Sequence, residues 1–381
     1  MSRPRLCYVV SSEITVKAFL LEHIRAAMAG YDVSVVANTS DTAALRALGV
    51  PVDIMPVAIE RRIAPLADLV ALWALYRHFR RERFDLVHSL TPKAGLLAAL
   101  AGVLAGVRVR LHTFTGQVWA TRAGFGRWLL KRIDALTAAA CTHVLADSGS
   151  QRDFLVVEGV VAPARIAVLA QGSVNGVDAA RFKPDAAARA RVRGEWGVAP
   201  DAVVFLYLGR LTVDKGLLDL ARAFADVPGT YLAMAGPDEE GLTDRIRAAC
   251  GGDASRLRFV GYTGEPQSYM AASDVFVLPS YREGFGSTVI EAAACGVPAI
   301  ASRIYGLTDA VVDGATGFLV PPRDAAALAQ RMRELAGDAS LRQRLGTAAR
   351  ERAVRDFSQA TLTRATLAYY EGRLAERTCA T

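Results

Sequence analysis

Two stretches of the chain carry charged side chains in a spacing suited to phosphate and sugar chemistry. In Gly209-Arg210-Leu211-Thr212-Val213-Asp214-Lys215-Gly216, one guanidinium and one ammonium flank a single loop between a strand-like run and a helix beginning near Leu217. Two cations beside a helix N-terminus, with glycines that let the backbone come close, suit a diphosphate: Arg offers a planar fork, Lys a point charge, the helix free N–H groups. Taken alone, both are also ordinary surface charges. The second stretch runs over residues 279–298, where Glu283 and Glu291 stand eight positions apart. Gly284 and Gly286 mark a tight loop, Ser287 or Thr288 is expected to cap a helix, and Gly296-Val297-Pro298 ends it. Glu291 then lies about one turn into that helix, its side chain leaning back toward the loop. Carboxylates accept from vicinal hydroxyls, so a sugar and a ribose joined by a diphosphate would satisfy both stretches at once. Singly, Glu291 reads as a helix-dipole partner and Glu283 as a solvated loop charge.

The elements that must position these residues are legible as an alternation. Short apolar, β-rich runs at 6–10, 33–37, 52–57, 86–89, 108–114, 144–147 and 166–169, then at 203–208, 231–235, 257–260, 275–278, 299–301 and 317–320, are separated by segments of helical period. This is the pattern of parallel sheets covered by helices. It predicts an α/β fold of two Rossmann-like parallel-sheet domains facing a central cleft. Gly172-Ser173-Val174-Asn175-Gly176 and Phe182-Lys183-Pro184-Asp185 are turn-rich, which places the domains at 1–183 and 184–356, with a C-terminal helix over 357–381 that packs on either half. Ligands of open α/β sheets bind beyond the strand C-termini, so functional residues should follow strands.

A chain of 381 residues with 52% hydrophobic and 22% charged side chains is too long for one small module and too apolar for disorder. Residues 94–107 are uncharged, but that run of 14 is short of the roughly 20 needed to span a bilayer. Met1-Ser2-Arg3-Pro4-Arg5 leads straight into a strand-like run with no signal-peptide pattern, so the chain is expected in the cytosol. Cys7, Cys141, Cys250, Cys295 and Cys379 form no C-x-x-C pair and read as buried, reduced thiols. Residues 1–183 hold 22 Lys and Arg against 14 Asp and Glu, a net +8, while 184–381 hold 23 against 24, a net −1. An anionic partner for the first half follows, either an acidic lipid surface or a nucleic acid.

Gly209-Arg210 with Lys215-Gly216, then Glu283-Gly284-Phe285-Gly286 and the E-x7-E pair ending in Glu291, resembles the retaining glycosyltransferases of family 4, which have the GT-B fold. Asp147-Ser148-Gly149-Ser150-Gln151, Asn175-Gly176-Val177-Asp178 and Gly314-Ala315-Thr316-Gly317-Phe318-Leu319-Val320 extend the resemblance over nearly the whole chain, with bacterial capsule and O-antigen lipid-carrier transferases as its nearest flavour. The resemblance implies a nucleotide-diphosphate sugar, of UDP type, held mainly by the second half. Arg210 and Lys215 would hold the diphosphate, Glu283 the transferred sugar, and Gly284, Phe285, Gly286, Ser287 and Thr288 the sugar and phosphate through loop amides. Glu291 would hold the ribose, and the base would lie near Gly261 and Tyr262. No metal and no resident cofactor are implied. Asp238 and Glu239 read as a solvated acidic loop.

Two departures from the family concern the first half. Ser11-Ser12 stand where many relatives have paired glycines, and Thr115-Gly116, with His112 three residues earlier, stand where many have a His touching the transferred sugar. His112 and Thr115 are therefore joint candidates for that acceptor-side role.

Residues 65–84 and 118–133 mix aromatics such as Trp73, Tyr76, Trp119, Phe125 and Trp128 with arginines, a combination that suits an anionic membrane interface as well as an amphipathic helix on a core. The expected activity is transfer of a sugar, inclining to an N-acetylhexosamine, to a polyprenyl-diphosphate-linked saccharide for surface polysaccharide or lipopolysaccharide, at the inner face of the plasma membrane. A nucleotide-sugar epimerase shares the architecture. A nucleic-acid-binding protein is suggested by charge alone; nothing resembles a helix-turn-helix, an RNP motif or a zinc finger, so no nucleic acid is expected as partner.

Overall fold

The computed structural model describes residues 3–60, 63–251 and 254–376. They form two units, Met1–Asn175 with Gln359–Thr381, and Gly176–Ser358. The four described cysteines are buried and in no disulfide among the described residues, and Cys379 lies outside the described residues.

In the first unit seven parallel strands, β1 (Arg5–Val9), β2 (Asp32–Ala37), β3 (Ile54–Pro56), β4 (Leu86–Leu90), β5 (Val109–Phe114), β6 (His143–Ala146) and β7 (Ile166–Val168), lie in the order β3-β2-β1-β4-β5-β6-β7. Side chains alternate across the pleat. Leu6 and Tyr8 of β1 therefore enter one core with Leu20 and Ile24, whereas Cys7 and Val9 enter another beneath α1 (Pro65–Glu82) and α2 (Pro92–Ala105). Helix α1 begins on a proline and buries Ala71, Leu75 and Phe79, one stripe at i, i+4 and i+8. Helix α2 is nearly all apolar because α1 and α3 (Gly124–Ala140) pack on its two flanks.

The second unit has six parallel strands, β8 (Val204–Leu208), β9 (Tyr231–Ala235), β10 (Leu257–Gly261), β11 (Val275–Leu278), β12 (Ala299–Ser302) and β13 (Gly317–Val320), in the order β10-β9-β8-β11-β12-β13. Chain order reverses between β8 and β11, which pair with Phe205 opposite Val275. That reversal is the switch point of the sheet, and ligands of open α/β sheets bind outside the strand C-termini there.

The expected boundary at 183/184 moves to 175/176. Val177 and Phe182 are buried in the second core, and the Val177 N–H donates to the Phe357 carbonyl at 2.8 Å. The chain returns at Gln359, whose side-chain amide donates to Asn175 Oδ1 at 3.0 Å, and the C-terminal helix Gln359–Ala375 buries Tyr370 in the first unit, where its hydroxyl meets His88 Nδ1 at 2.5 Å.

Candidate active site

The β8 and β11 loops are knitted together at the switch point of the second unit. Tyr207, buried in β8, donates its hydroxyl to the Arg210 carbonyl at 2.7 Å, which fixes the backbone carrying that guanidinium. The Tyr281 N–H donates to the Asp214 carbonyl at 2.8 Å, and the Arg282 guanidinium to Asp214 Oδ2 at 2.9 Å. Gly216 has φ +68°, and a Cβ there would stand 2.1 Å from the Pro279 carbonyl oxygen. Only a residue without a side chain lets the entry to α4 (Leu217–Ala225) come this close to the neighbouring loop.

These contacts bring Lys215 Nζ to 2.5 Å from Glu283 Oε1, which also accepts from Ser280 Oγ at 2.7 Å. Both charged groups are half-buried, so the pair is less screened than an ion pair on open surface. A cation and a carboxylate are thus held side by side, one suited to phosphate oxygens, the other to sugar hydroxyls. Arg210 reaches Glu239 at 2.8 Å, and both side chains are well exposed; such a pair is worth little and yields easily to a stronger anion.

Asp238 and Glu239 are both exposed, as a solvated acidic loop should be, and Asp238 is held in addition by hydrogen bonds within its own loop. Asp238 accepts from the Leu242 and Thr243 amides at 2.8 and 2.9 Å and from the Thr243 hydroxyl at 2.8 Å; the Leu242 amide foremost holds its carboxyl down at about 2. Glu240 accepts from the Val213 N–H at 2.9 Å.

Helix α5 (Ser287–Ala294) corrects a second expectation: its N-cap is Gly286, without a side-chain cap from Ser287 or Thr288. A Cβ on Gly286 would stand 2.9 Å from Leu307 and 3.0 Å from Ala310, so close packing selects glycine over a capping side chain there. At the helix start the Ser287 N–H donates to the Phe285 carbonyl at 3.0 Å, and the Val289 and Ile290 N–H groups donate to the Gly286 carbonyl at 2.9 and 3.1 Å. Gly284, Phe285 and Gly286 are buried, Ser287 and Thr288 half-buried. One turn on, Glu291 is half-buried by surface area, yet its carboxyl is poorly hydrated; that desolvation pushes it up to about 7, against the pull of Arg181. Gly261 closes β10 with φ +71°, and Tyr262 after it is 82% exposed.

In the first unit the acceptor-side candidates part company. His112 is buried in β5, with Nδ1 3.0 Å from Ser89 Oγ and its ring edge-on to Phe114. Its imidazole lies so close to α2 that a Cβ on Gly95 would overlap it at 2.3 Å, and burial lowers its pKa to about 4. It is a neutral core residue, not one at the strand's mouth. Thr115 is half-buried just beyond the C-terminal end of β5. Beside it, at the end of β4, Thr91 adopts φ +69° and ψ 142°, a conformation rare for a β-branched residue, and its buried Oγ1 has no hydrogen-bond partner among the described residues. The sequence singled out neither that strain nor the pairing of Arg210 with Glu239.

Residues 20–172 match the family model of the glycosyl transferase 4-like domain, and residues 188–352 that of the glycosyl transferases group 1. The chain belongs to the group 1 glycosyltransferases. It is 29% identical over 308 residues to the capsular polysaccharide biosynthesis glycosyltransferase CapM of Staphylococcus aureus, covering 79% of this chain and 80% of CapM. It is 28% identical over 274 residues, 69% of each chain, to the Escherichia coli UDP-Gal:alpha-D-GlcNAc-diphosphoundecaprenol alpha-1,3-galactosyltransferase. Crystalline HepE of Anabaena, in complex with UDP and glucose, superposes with a TM-score of 0.81 at 19% identity, covering 97% of this chain and all of HepE. The GT-B fold of this glycosyltransferase follows, and the epimerase reading finds no support in these relatives. The family models together span both units, each ending within a few residues of the chain's crossing at 175/176 or short of Ser358.

Proposed function

We propose that this glycosyltransferase moves a sugar from a UDP-sugar, with an N-acetylhexosamine as the first candidate, to a polyprenyl-diphosphate-linked saccharide in surface polysaccharide or lipopolysaccharide assembly, with retention at the anomeric carbon. The Lys215–Glu283 pair at the β8/β11 switch point carries the reading. Lys215 and Arg210 would neutralise the diphosphate as the bond from the sugar C1 to its oxygen breaks. Glu283 would hold the sugar, the loop amides over 284–288 the phosphate and sugar oxygens, Glu291 the ribose, and Gly261 and Tyr262 the base. The acceptor hydroxyl would attack from the face the diphosphate leaves, passing its proton to the departing phosphate oxygen; positioning and charge stabilisation then supply the rate without a base from the protein. The lipid-linked acceptor is supported by the Escherichia coli relative's name, which specifies a diphosphoundecaprenol substrate. Thr115 and Thr91, at adjacent strand ends, are the residues assigned to the acceptor side, and the acceptor's lipid implies contact with the inner face of the plasma membrane.

The test is a donor screen with undecaprenyl-diphosphate-linked saccharide: UDP-N-acetylglucosamine and UDP-N-acetylgalactosamine beside UDP-galactose, GDP-mannose and dTDP-sugars. Acceptor-dependent release of UDP and an α-linked product by NMR are expected. A β-linked product from an α-linked donor would reject retention, and release of GDP or dTDP alone would reject the donor.

Glu291 adds a pH signature. A carboxyl whose pKa is raised on folding costs stability as pH rises from the ordinary carboxylate range through about 7, and donor hydroxyls that hydrogen-bond to the ionised form offset that cost. Donor KM is therefore expected to rise as the medium is acidified through a pH of about 7, and the dependence should flatten in Glu291→Gln. The same slope in parent and variant would remove Glu291 from the ribose site.

A further inference from the structure

Thirteen of the large apolar side chains exposed among the described residues belong to the first unit and four to the second. They are not scattered. On α1, Leu66, Leu69, Val70, Trp73, Arg77 and Arg80 fall at i, i+3, i+4, i+7, i+11 and i+14, a single outward face opposite the buried Ala71, Leu75 and Phe79. Leu66 is 82% and Trp73 59% exposed. On α3, Phe125, 73% exposed, and Trp128, 52% exposed, stack at 5.6 Å, with the Arg132 guanidinium 5.9 Å from the Trp128 ring. Both helices flank α2 in one layer, so their free faces point the same way, off the sheet.

Charge decides what such a surface meets. The three carboxylates of the two helices are all engaged: Asp68 with Lys93 at 2.8 Å, Glu82 with Arg5 and Arg81, and the buried Asp134 with the Trp119 indole N–H at 2.7 Å. Arg77 and Arg80 have no partner among the described residues. Apolar aromatics with unpaired arginines and no free carboxylate match the headgroup boundary of an anionic bilayer. The apolar residues also have a direction. Both helices run back against the parallel strands, so their N-terminal halves lie at the strand C-terminal edge, beside Thr91 and Thr115. The α1 face changes from apolar to arginine over about 21 Å, at roughly 1.5 Å per residue from Leu66 to Arg80.

We infer that the first unit meets an anionic membrane edge-first: the N-terminal halves of α1 and α3 enter the interface through Trp73 and Trp128, while Arg77 and Arg80 rest on headgroups further out. The tilt would bring the loops holding Thr91 and Thr115 closest to the bilayer, where a lipid-held saccharide ends. This inference rests on the lipid-linked acceptor proposed above and adds to it a surface and an orientation.

The test uses the full chain with phosphatidylcholine vesicles, with and without phosphatidylglycerol. Trp73 and Trp128 are the well-exposed tryptophans; Trp119 is buried and Trp196 is stacked on Tyr269. Brominated acyl chains should therefore quench part of the tryptophan emission, more strongly with bromine near the headgroups than near the chain ends. Trp73→Ala with Trp128→Ala should abolish that quenching and lower vesicle partition by about tenfold or more, the loss of two buried aromatic anchors. Arg77→Gln with Arg80→Gln should weaken binding to the phosphatidylglycerol vesicles only, and added salt should mimic it. Transfer to a short-chain, water-soluble acceptor should be unchanged in both variants, which separates the surface from the chemistry. No binding by the parent chain overturns the membrane surface while leaving the transferase reading to the donor screen; binding without transfer on any acceptor does the reverse. A tryptophan variant that binds vesicles as the parent does but converts a dimer to a monomer would assign this face to a second copy of the chain and overturn the proposal.

Discussion

Lys215→Met should lower kcat/KM for the donor by roughly 30- to 1,000-fold, the equivalent of about 2–4 kcal/mol for a lost charge-assisted contact in a half-buried pair. Two losses combine. The diphosphate loses a point charge, and Glu283, which Lys215 approaches to 2.5 Å, keeps only the Ser280 hydroxyl of its two partners and becomes a less balanced carboxylate where the donor's anion must arrive. Methionine preserves the apolar stem, so the loss belongs to the charge rather than to packing. Lys215→Arg returns the charge with a larger head and should recover part of the rate. Arg210→Ala should cost less, because Arg210 is half exposed and its pair with Glu239 is a surface pair. Steady-state kinetics across the donor concentration range check this; a Lys215→Met enzyme within about threefold of the parent would remove the pair from the donor site.

How far these residues were legible in the sequence depends on how local their causes are. All thirteen strands lie within about two residues of their expected positions, because a parallel strand is buried on both faces and reads as a short apolar run between turn residues. Arg210, Lys215, Glu283 and Glu291 were legible for a related reason: each follows a strand, and the β8/β11 reversal gathers those strand ends. What escaped depends on neighbours far apart in the chain. Arg210 and Glu239 look like unrelated solvated charges until the loop after β9 lies against the loop after β8, where the Leu211 N–H reaches the Pro237 carbonyl at 2.8 Å. His112 looks reactive until Gly95 of α2 lies on its ring. Residues 176–183 look like a linker until Phe182 is found in the second core. A glycine at the α5 cap is similarly illegible, since its cause is Leu307 and Ala310.

Gly216 shows how strongly the site depends on one such contact. Gly216→Ala is expected to destabilise the second unit by about 3–5 kcal/mol, in the range of backbone strain combined with a core-type overlap. An alanine at φ +68° itself costs about 1–2 kcal/mol, and its Cβ would sit 2.1 Å from the Pro279 carbonyl oxygen, a backbone atom that cannot rotate away. One of the two loops must retreat, and the β11 loop carries Glu283 while the β8 loop carries Lys215. Separation by even about 1 Å would misplace the pair and should cut donor kcat/KM by about 100-fold or more. Gly197→Ala supplies the control: Gly197 ends the helix Ala186–Trp196 with φ +63°, and nothing lies within 4 Å of a Cβ built there. It should show the left-handed penalty alone, with donor kinetics intact. Urea unfolding and donor kinetics on the two variants separate conformational cost from loop displacement, and equal behaviour of Gly216→Ala and Gly197→Ala in both measurements would show that the β8 and β11 loops do not need their close approach for catalysis.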